Sequence, residues 1–147
     1  MDRVALGIAY DGTAYHGWQR QRGVSTVQAE LEGALSKIAN TRIKVSCAGR
    51  TDTGVHATQQ VVHFDVGVVR TSKAWIEGTN ALLPDDIAVV WMQPVSRAFD
   101  ARHSAKARRY LYIISNEKYR SPIGSRLFAR FYRPLQIQAM HEAAQVL

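Results

Sequence analysis

A chain of 147 residues, 46% of them hydrophobic, is long enough for one domain with a real core. No apolar run approaches a membrane-spanning length, and the opening Met1-Asp2-Arg3 does not read as a signal peptide. A single cysteine, Cys47, excludes an internal disulfide framework and suits a reducing, cytoplasmic setting; its apolar, strand-like surroundings favour a buried structural thiol over a reactive one. The formal charge of +7 is local: residues 1–96 hold nine Lys/Arg and nine Asp/Glu, whereas residues 97–133 hold ten basic residues against Asp100 and Glu117. Aromatic side chains interleave with those charges (Phe99, Tyr110, Tyr112, Tyr119, Phe128, Phe131, Tyr132). Such a mixture suits a surface that neutralises phosphates and stacks on unpaired bases, and a solvated basic face is the plainer alternative.

In chain order, the alternation of Val4, Leu6, Ile8 and Tyr10 predicts a strand, and Asp11-Gly12 opens a loop to about Gly23. Ser25 with Gln28 reads as a capping box, followed by a helix with Val27, Leu31, Leu35 and Ile38 on one stripe. Ile43, Val45 and Cys47 predict a second strand, and Val62, Phe64 and Val66 a third. Thr71 or Ser72 can cap a second helix with Trp75, Gly78 and Leu82 inward, ending before Pro84; Asp85-Asp86 reads as a turn into a fourth strand through Ile87, Val89 and Trp91. The fold class is therefore α+β, a ferredoxin-like β-α-β-β-α-β unit with an antiparallel sheet. A further strand is expected through Tyr110, Tyr112 and Ile114, and a C-terminal helix after Pro134 and Gln136 with Met140, Ala144 and Leu147 on one side. Residues 1–96 are expected as one subdomain and 97–147 as a basic strand-loop-helix segment.

The third strand lacks the aromatic pattern of an RNA-recognition module, since Gln59-Gln60-Val61-Val62-His63-Phe64 does not match it. Chemistry, if present, belongs to the turn before that strand, Gly49-Arg50-Thr51-Asp52-Thr53-Gly54-Val55-His56-Ala57. Here one carboxylate follows an arginine by two residues and is bracketed by glycines. An adjacent guanidinium favours the ionised carboxylate, which makes Asp52 a candidate nucleophile or base; the plainer alternative is a salt-bridged turn. His56 could partner it in proton transfer or hold the turn by a structural hydrogen bond. His16, His63, His103 and His141 show no metal-ligand spacing with one another or with Cys47. Tyr15, Trp18, Arg20 and Arg22 form a basic-aromatic loop that could touch RNA or pack and solvate.

Four segments together resemble the TruA family of tRNA pseudouridine synthases. They are the run from Tyr10 to Gln19 (YDGTAYHGWQ), the run from Gly49 to Ala57, Phe99-Asp100-Ala101-Arg102-His103-Ser104-Ala105, and Arg108-Arg109-Tyr110-Leu111-Tyr112. The resemblance implies that Asp52 is the catalytic residue, that Tyr110 packs on the target uracil, and that Arg50 pairs with Asp52 and helps displace the base. It implies isomerisation of uridine to pseudouridine on the 3′ side of the tRNA anticodon stem-loop, with no metal and no organic cofactor. Arg20, Arg22, Arg102, Arg108 and Arg109 are the further candidates for RNA contact. Thr53 stands where many relatives have alanine. Family members carry a second, comparable half and act as homodimers, so this chain is expected to correspond to the N-terminal half. The alternative function is an RNA-binding half-domain without catalysis of its own.

Overall fold

The computed structural model describes residues 2–146. Two compact units make up the chain, one running to Arg108 and the other beginning at Arg109. In the first unit four strands, β1 (Asp2–Tyr10), β2 (Ser46–Cys47), β3 (Ala57–Val66) and β4 (Ile87–Val95), form one sheet in the order β2-β3-β1-β4. Every neighbouring pair is antiparallel. β3 thus separates β1 from β2, and β1 separates β3 from β4, which is the split β-α-β arrangement expected from the element order.

The core follows from strand periodicity. Val4, Leu6, Ile8 and Tyr10 on β1 pair into register with Phe64, Val62 and their neighbours on β3, and all are buried. The stripe of α1 (Val27–Ala39), with Val27, Leu31, Leu35 and Ala39, joins the same cluster, as do Trp75 and Ile87. The rings of Phe64 and Trp75 meet edge-on at 5.2 Å. α1 stops at Asn40, whose left-handed backbone (φ 50°) returns an amide to Lys37 and Ser36 carbonyls.

Four local expectations are corrected. The capping box does not form. The cap residue is Thr26, whose side chain makes no capping bond, and the first helical amides, of Val27 and Gln28, donate instead to the carbonyls of Gly17 and Trp18. Gln28 is engaged elsewhere: its amide oxygen accepts from Arg20 N–H and its nitrogen donates to Glu32. The second strand shrinks to Ser46–Cys47. Ile43 and Val45 are buried, but their amides donate to the side chains of Ser36 and Glu32 rather than to a ladder. Residues 72–80 are helical with Thr71 Oγ accepting from Ala74 N–H, yet Ala74–Gly78 is a π-helix. Its wider turn advances the buried face by four residues, so Thr79 and Leu83 follow Trp75 inward while Leu82 is exposed. Gly78 does lie against Ile38 of α1. Finally, a register shift against β1 carries Trp91 off the face shared by Ile87 and Val89 and sets it over Gly7, where a Cβ would fall 2.1 Å from the indole nitrogen.

Part of the sheet face opposite α1 is covered. Arg3 on β1 forks onto Asp65 and donates to the carbonyls of Arg97 and Phe99. His63 Nδ1 accepts from Ala101 N–H at 3.0 Å, and Ala101 is buried. These bonds strap residues 97–101 over the part of that face around Arg3 and His63.

In the second unit, the strand expected through Tyr110 and Tyr112 contracts to β5 (Ile114–Ser115), which pairs in parallel with β6 (Ala129–Arg130). Tyr110 and Tyr112 lie outside any ladder and are exposed: alternation alone makes no strand where no edge is offered. α2 (Ile137–Ala144) forms as expected, with Leu147 outside the described residues. A cleft of about 370 Å³ in this unit is lined by Ile114, Asn116, Leu135, Ile137, Met140 and His141.

Candidate active site

The turn between β2 and β3 is fastened at its entry, its middle and its exit. At the entry the buried Gln60 side chain accepts from Gly49 N–H and donates to Gly49 carbonyl, while Ala48 N–H donates to Val61 carbonyl at 2.8 Å. In the middle, Trp18 N–H donates to Thr51 carbonyl at 2.9 Å, and the hydroxyls of Tyr10 and Thr51 lie 2.8 Å apart. Val55 N–H then closes on Asp52 carbonyl at 3.2 Å around Gly54 (φ 78°), the positive-φ corner that makes glycine the residue of choice. At the exit, Gly12 packs so tightly on the turn that a Cβ would fall 2.0 Å from Val55 carbonyl. His56 Nδ1 lies 3.2 Å from Gly12 nitrogen and 3.1 Å from Asp11 Oδ1. His56 therefore serves as a tie between turn and loop.

The loop of residues 11–18 is accordingly a wedge between the amino end of α1 and the Asp52 turn. Its rings are part of the core. Tyr15 and Trp18 are buried, Trp18 lies 5.9 Å from Tyr10, and Tyr15 donates its hydroxyl to Asp86. Burial, followed by that bond, pushes the Tyr15 phenol well above its ordinary range. Contact of these two rings with RNA is thereby corrected. Gly17 (φ 81°) permits a second close approach, where a Cβ would fall 2.8 Å from Thr51 carbonyl oxygen.

Asp52 stands at the apex of this fastened turn. Its side chain is exposed and makes no hydrogen bond or ion pair among the described residues. Arg50 is exposed as well, and the ion pairs of the described residues do not include one between Arg50 and Asp52. The acids of the other motif segments are committed. Asp11 Oδ1 accepts from Thr13 N–H and its hydroxyl, and Asp100 Oδ1 accepts from the amides of Arg102 and His103, which hold its carboxyl below the usual range.

Cationic groups gather at the start of the turn. Arg108 donates to Ala48 carbonyl at 2.8 Å and to Arg102 carbonyl at 3.0 Å. Half-buried Cys47 feels both Arg50 and Arg102, although burial dominates and pushes its thiol up. Arg20 is held differently, in an ion pair at 3.0 Å with buried Glu32 of α1, whereas Arg22 is exposed. Arg109 and Tyr110 belong to the second unit and are exposed. Tyr10, Gly17 and Gln60 hold the turn without having been candidates in the sequence, and Trp18, a candidate for RNA contact, holds it through its backbone instead. A signal for Tyr10, Gly17 and Trp18 was present in their membership of the first motif segment; none marked Gln60.

A family model described as tRNA pseudouridine synthase matches residues 7–104. The chain is similar to tRNA pseudouridine synthase A of Shewanella amazonensis, with 55% identity over 145 residues, 99% of this chain and 56% of that protein. The same-named proteins of Escherichia coli (strain K12 / DH10B) and Aeromonas salmonicida are 54% and 53% identical over 145 residues, each covering 99% of this chain and 54% of the relative. The chain thus spans about half the length of the curated relatives it matches.

Proposed function

The chain belongs to the tRNA pseudouridine synthase family, and from that premise we propose that the protein isomerises uridine to pseudouridine in tRNA with Asp52 as the catalytic residue. The observation that carries this reading is the contrast among carboxylates: Asp52 is exposed and uncommitted on a turn fastened throughout, whereas Asp11 and Asp100 are consumed by local hydrogen bonds.

The reaction breaks the N1–C1′ glycosidic bond, turns the uracil, and joins C5 to C1′; C5 gives up a proton and N1 gains one, so no atom or electron is exchanged overall. A fixed carboxylate can serve in two ways, by capturing C1′ as the bond breaks or by removing a ribose proton. Either use requires the target to leave the stack, at roughly a few kcal/mol. We assign the compensating contacts to Tyr110, as a face for the uracil worth about 1–3 kcal/mol, and to Arg50, as the group that displaces the base. The exposed guanidinium groups of Arg22, Arg102 and Arg109 are proposed to take backbone phosphates. The proposed targets are uridines on the 3′ side of the anticodon stem-loop, and the whole protein is proposed to act as a cytoplasmic homodimer.

The test uses the whole protein and an unmodified tRNA transcript. Asp52→Asn is expected to abolish pseudouridine formation while tRNA binding persists; substantial turnover by that variant overturns the assignment. Replacing the stem-loop uridines by cytidines should abolish product with the unaltered enzyme.

A further inference from the structure

For an exposed carboxylate with no partner among the described residues, the backbone sets where the side chain starts and the direction of its Cα–Cβ bond, so whatever fixes the preceding residue limits the positions its rotamers can reach. That residue is Thr51. Its carbonyl takes Trp18 N–H at 2.9 Å and its hydroxyl meets Tyr10 hydroxyl at 2.8 Å. Tyr10 is 5% exposed, with its ring 5.9 Å from that of Trp18, which is 1% exposed. As the last residue of β1, Tyr10 is paired on both sides, to Ala57 and to Ile87. Ala57 is the exit of the same turn. One residue of the central strand therefore holds the exit of the turn through its backbone and the approach to Asp52 through its side chain. A buried phenol needs a partner for its hydroxyl, and here a partner sits one residue from the carboxylate.

We propose that Tyr10 is a positioning residue for the reaction, its hydroxyl acting through Thr51 Oγ to fix the direction in which Asp52 leaves the turn. The proposal rests on the reading of Asp52 as catalytic. Tyr10→Phe removes one oxygen and keeps the ring against Trp18. Misplacement of a reacting group by about 1 Å can cost two orders of magnitude in rate, so a loosened tie is expected to lower kcat about tenfold. The KM for tRNA should stay within about twofold, because Tyr10 is buried.

The measurement is kcat and KM for pseudouridine formation by the whole protein, well below the melting temperature of each variant. Thr51→Val should match Tyr10→Phe, Thr51→Ser should restore most of the rate, and the double variant should be no worse than either single one. A structural role alone would lower the melting temperature and leave kcat of the folded protein unchanged. Tyr10→Phe within twofold of the unaltered kcat, Thr51→Ser as impaired as Thr51→Val, or strictly multiplicative losses in the double variant each overturn the proposal. Asp52→Asn, assayed alongside, separates the two claims: turnover by that variant overturns the catalytic reading, whereas an inactive Asp52→Asn beside a fully active Tyr10→Phe overturns only the positioning role.

Discussion

Gly17→Ala tests whether the loop ahead of α1 sets the place of the Asp52 turn. Gly17 has φ 81°, and a Cβ there would lie 2.8 Å from Thr51 carbonyl oxygen and 3.2 Å from the Asp52 carbonyl carbon. Gly23 supplies the control, since its φ is 80° and nothing lies within 4 Å of its Cβ position. Gly23→Ala therefore isolates the left-handed backbone cost, about 1–2 kcal/mol. Gly17→Ala carries the same cost and adds a contact with backbone that no rotamer change relieves. Restoring an ordinary contact of 3.4 Å from 2.8 Å moves the turn or the loop by about half an ångström, and forced overpacking of this kind adds about 1–3 kcal/mol. The parts that must yield are the Trp18–Thr51 bond and the Gly17 and Trp18 carbonyls that cap α1. Urea unfolding of both variants, with kcat measured in the whole protein, decides the matter. Gly23→Ala should keep its kcat; Gly17→Ala should be less stable by the added margin and slower by about tenfold. Equal stability losses and unchanged rates in the two variants would refute the claim that this approach positions the turn.

Two further expectations concern charge. Burial first, and then the Arg3 guanidinium, hold His63 below its ordinary value of 6.5, with Asp100 and Asp65 opposing. The unfolded imidazole thus takes its proton at higher pH than the folded one, so the stability tied to neutral His63 is complete above about pH 6.5 and is lost as pH falls through the lower folded value. Unfolding of the unaltered chain and of His63→Gln between pH 8 and pH 5 should show a stability difference that changes with pH; a constant difference would sink this account of the strap. Arg102→Ala should weaken tRNA binding and flatten its logarithmic salt dependence by about one, since an exposed guanidinium releases a counterion when it meets phosphate. Arg20→Ala should instead lower stability by about 1 kcal/mol through loss of the half-exposed pair with Glu32, with the salt slope intact. An equal flattening in both variants would show that Arg20 also reaches RNA.

Much of the first unit was legible because period-2 alternation and one helical stripe are local signals. β1, α1, β3 and β4 follow from them, and so does their order. What escaped were partners supplied from a distance. Ser36 and Glu32 take the amides of Ile43 and Val45, so a well-patterned strand loses most of its ladder. The carbonyls of Gly17 and Trp18 take the place of a capping side chain. Tyr15 and Trp18 sit beside arginines in sequence and look like stacking rings, yet burial against Tyr10 and Asp86 makes them the core of the wedge. In each case a polar group or ring found its partner through the fold, and spacing along the chain carries no record of that.

The same limit bears on the acids of the motif segments. Asp11, Asp52 and Asp100 each sit in a conspicuous segment with glycine, histidine or arginine nearby. The spacing of Arg50 and Asp52 makes Asp52 a candidate nucleophile or base and equally allows a salt-bridged turn. Among the described residues no ion pair joins the two. Thr13 and His56 converge on Asp11, the amides of Arg102 and His103 converge on Asp100, and Asp52 meets none of these, while Val55 N–H binds its carbonyl and Trp18 N–H binds that of Thr51 before it. A rigid main chain beneath an unengaged carboxylate is the combination a reacting group requires, because a fixed position lowers the entropic cost of attack and an unengaged oxygen retains its lone pairs for the substrate.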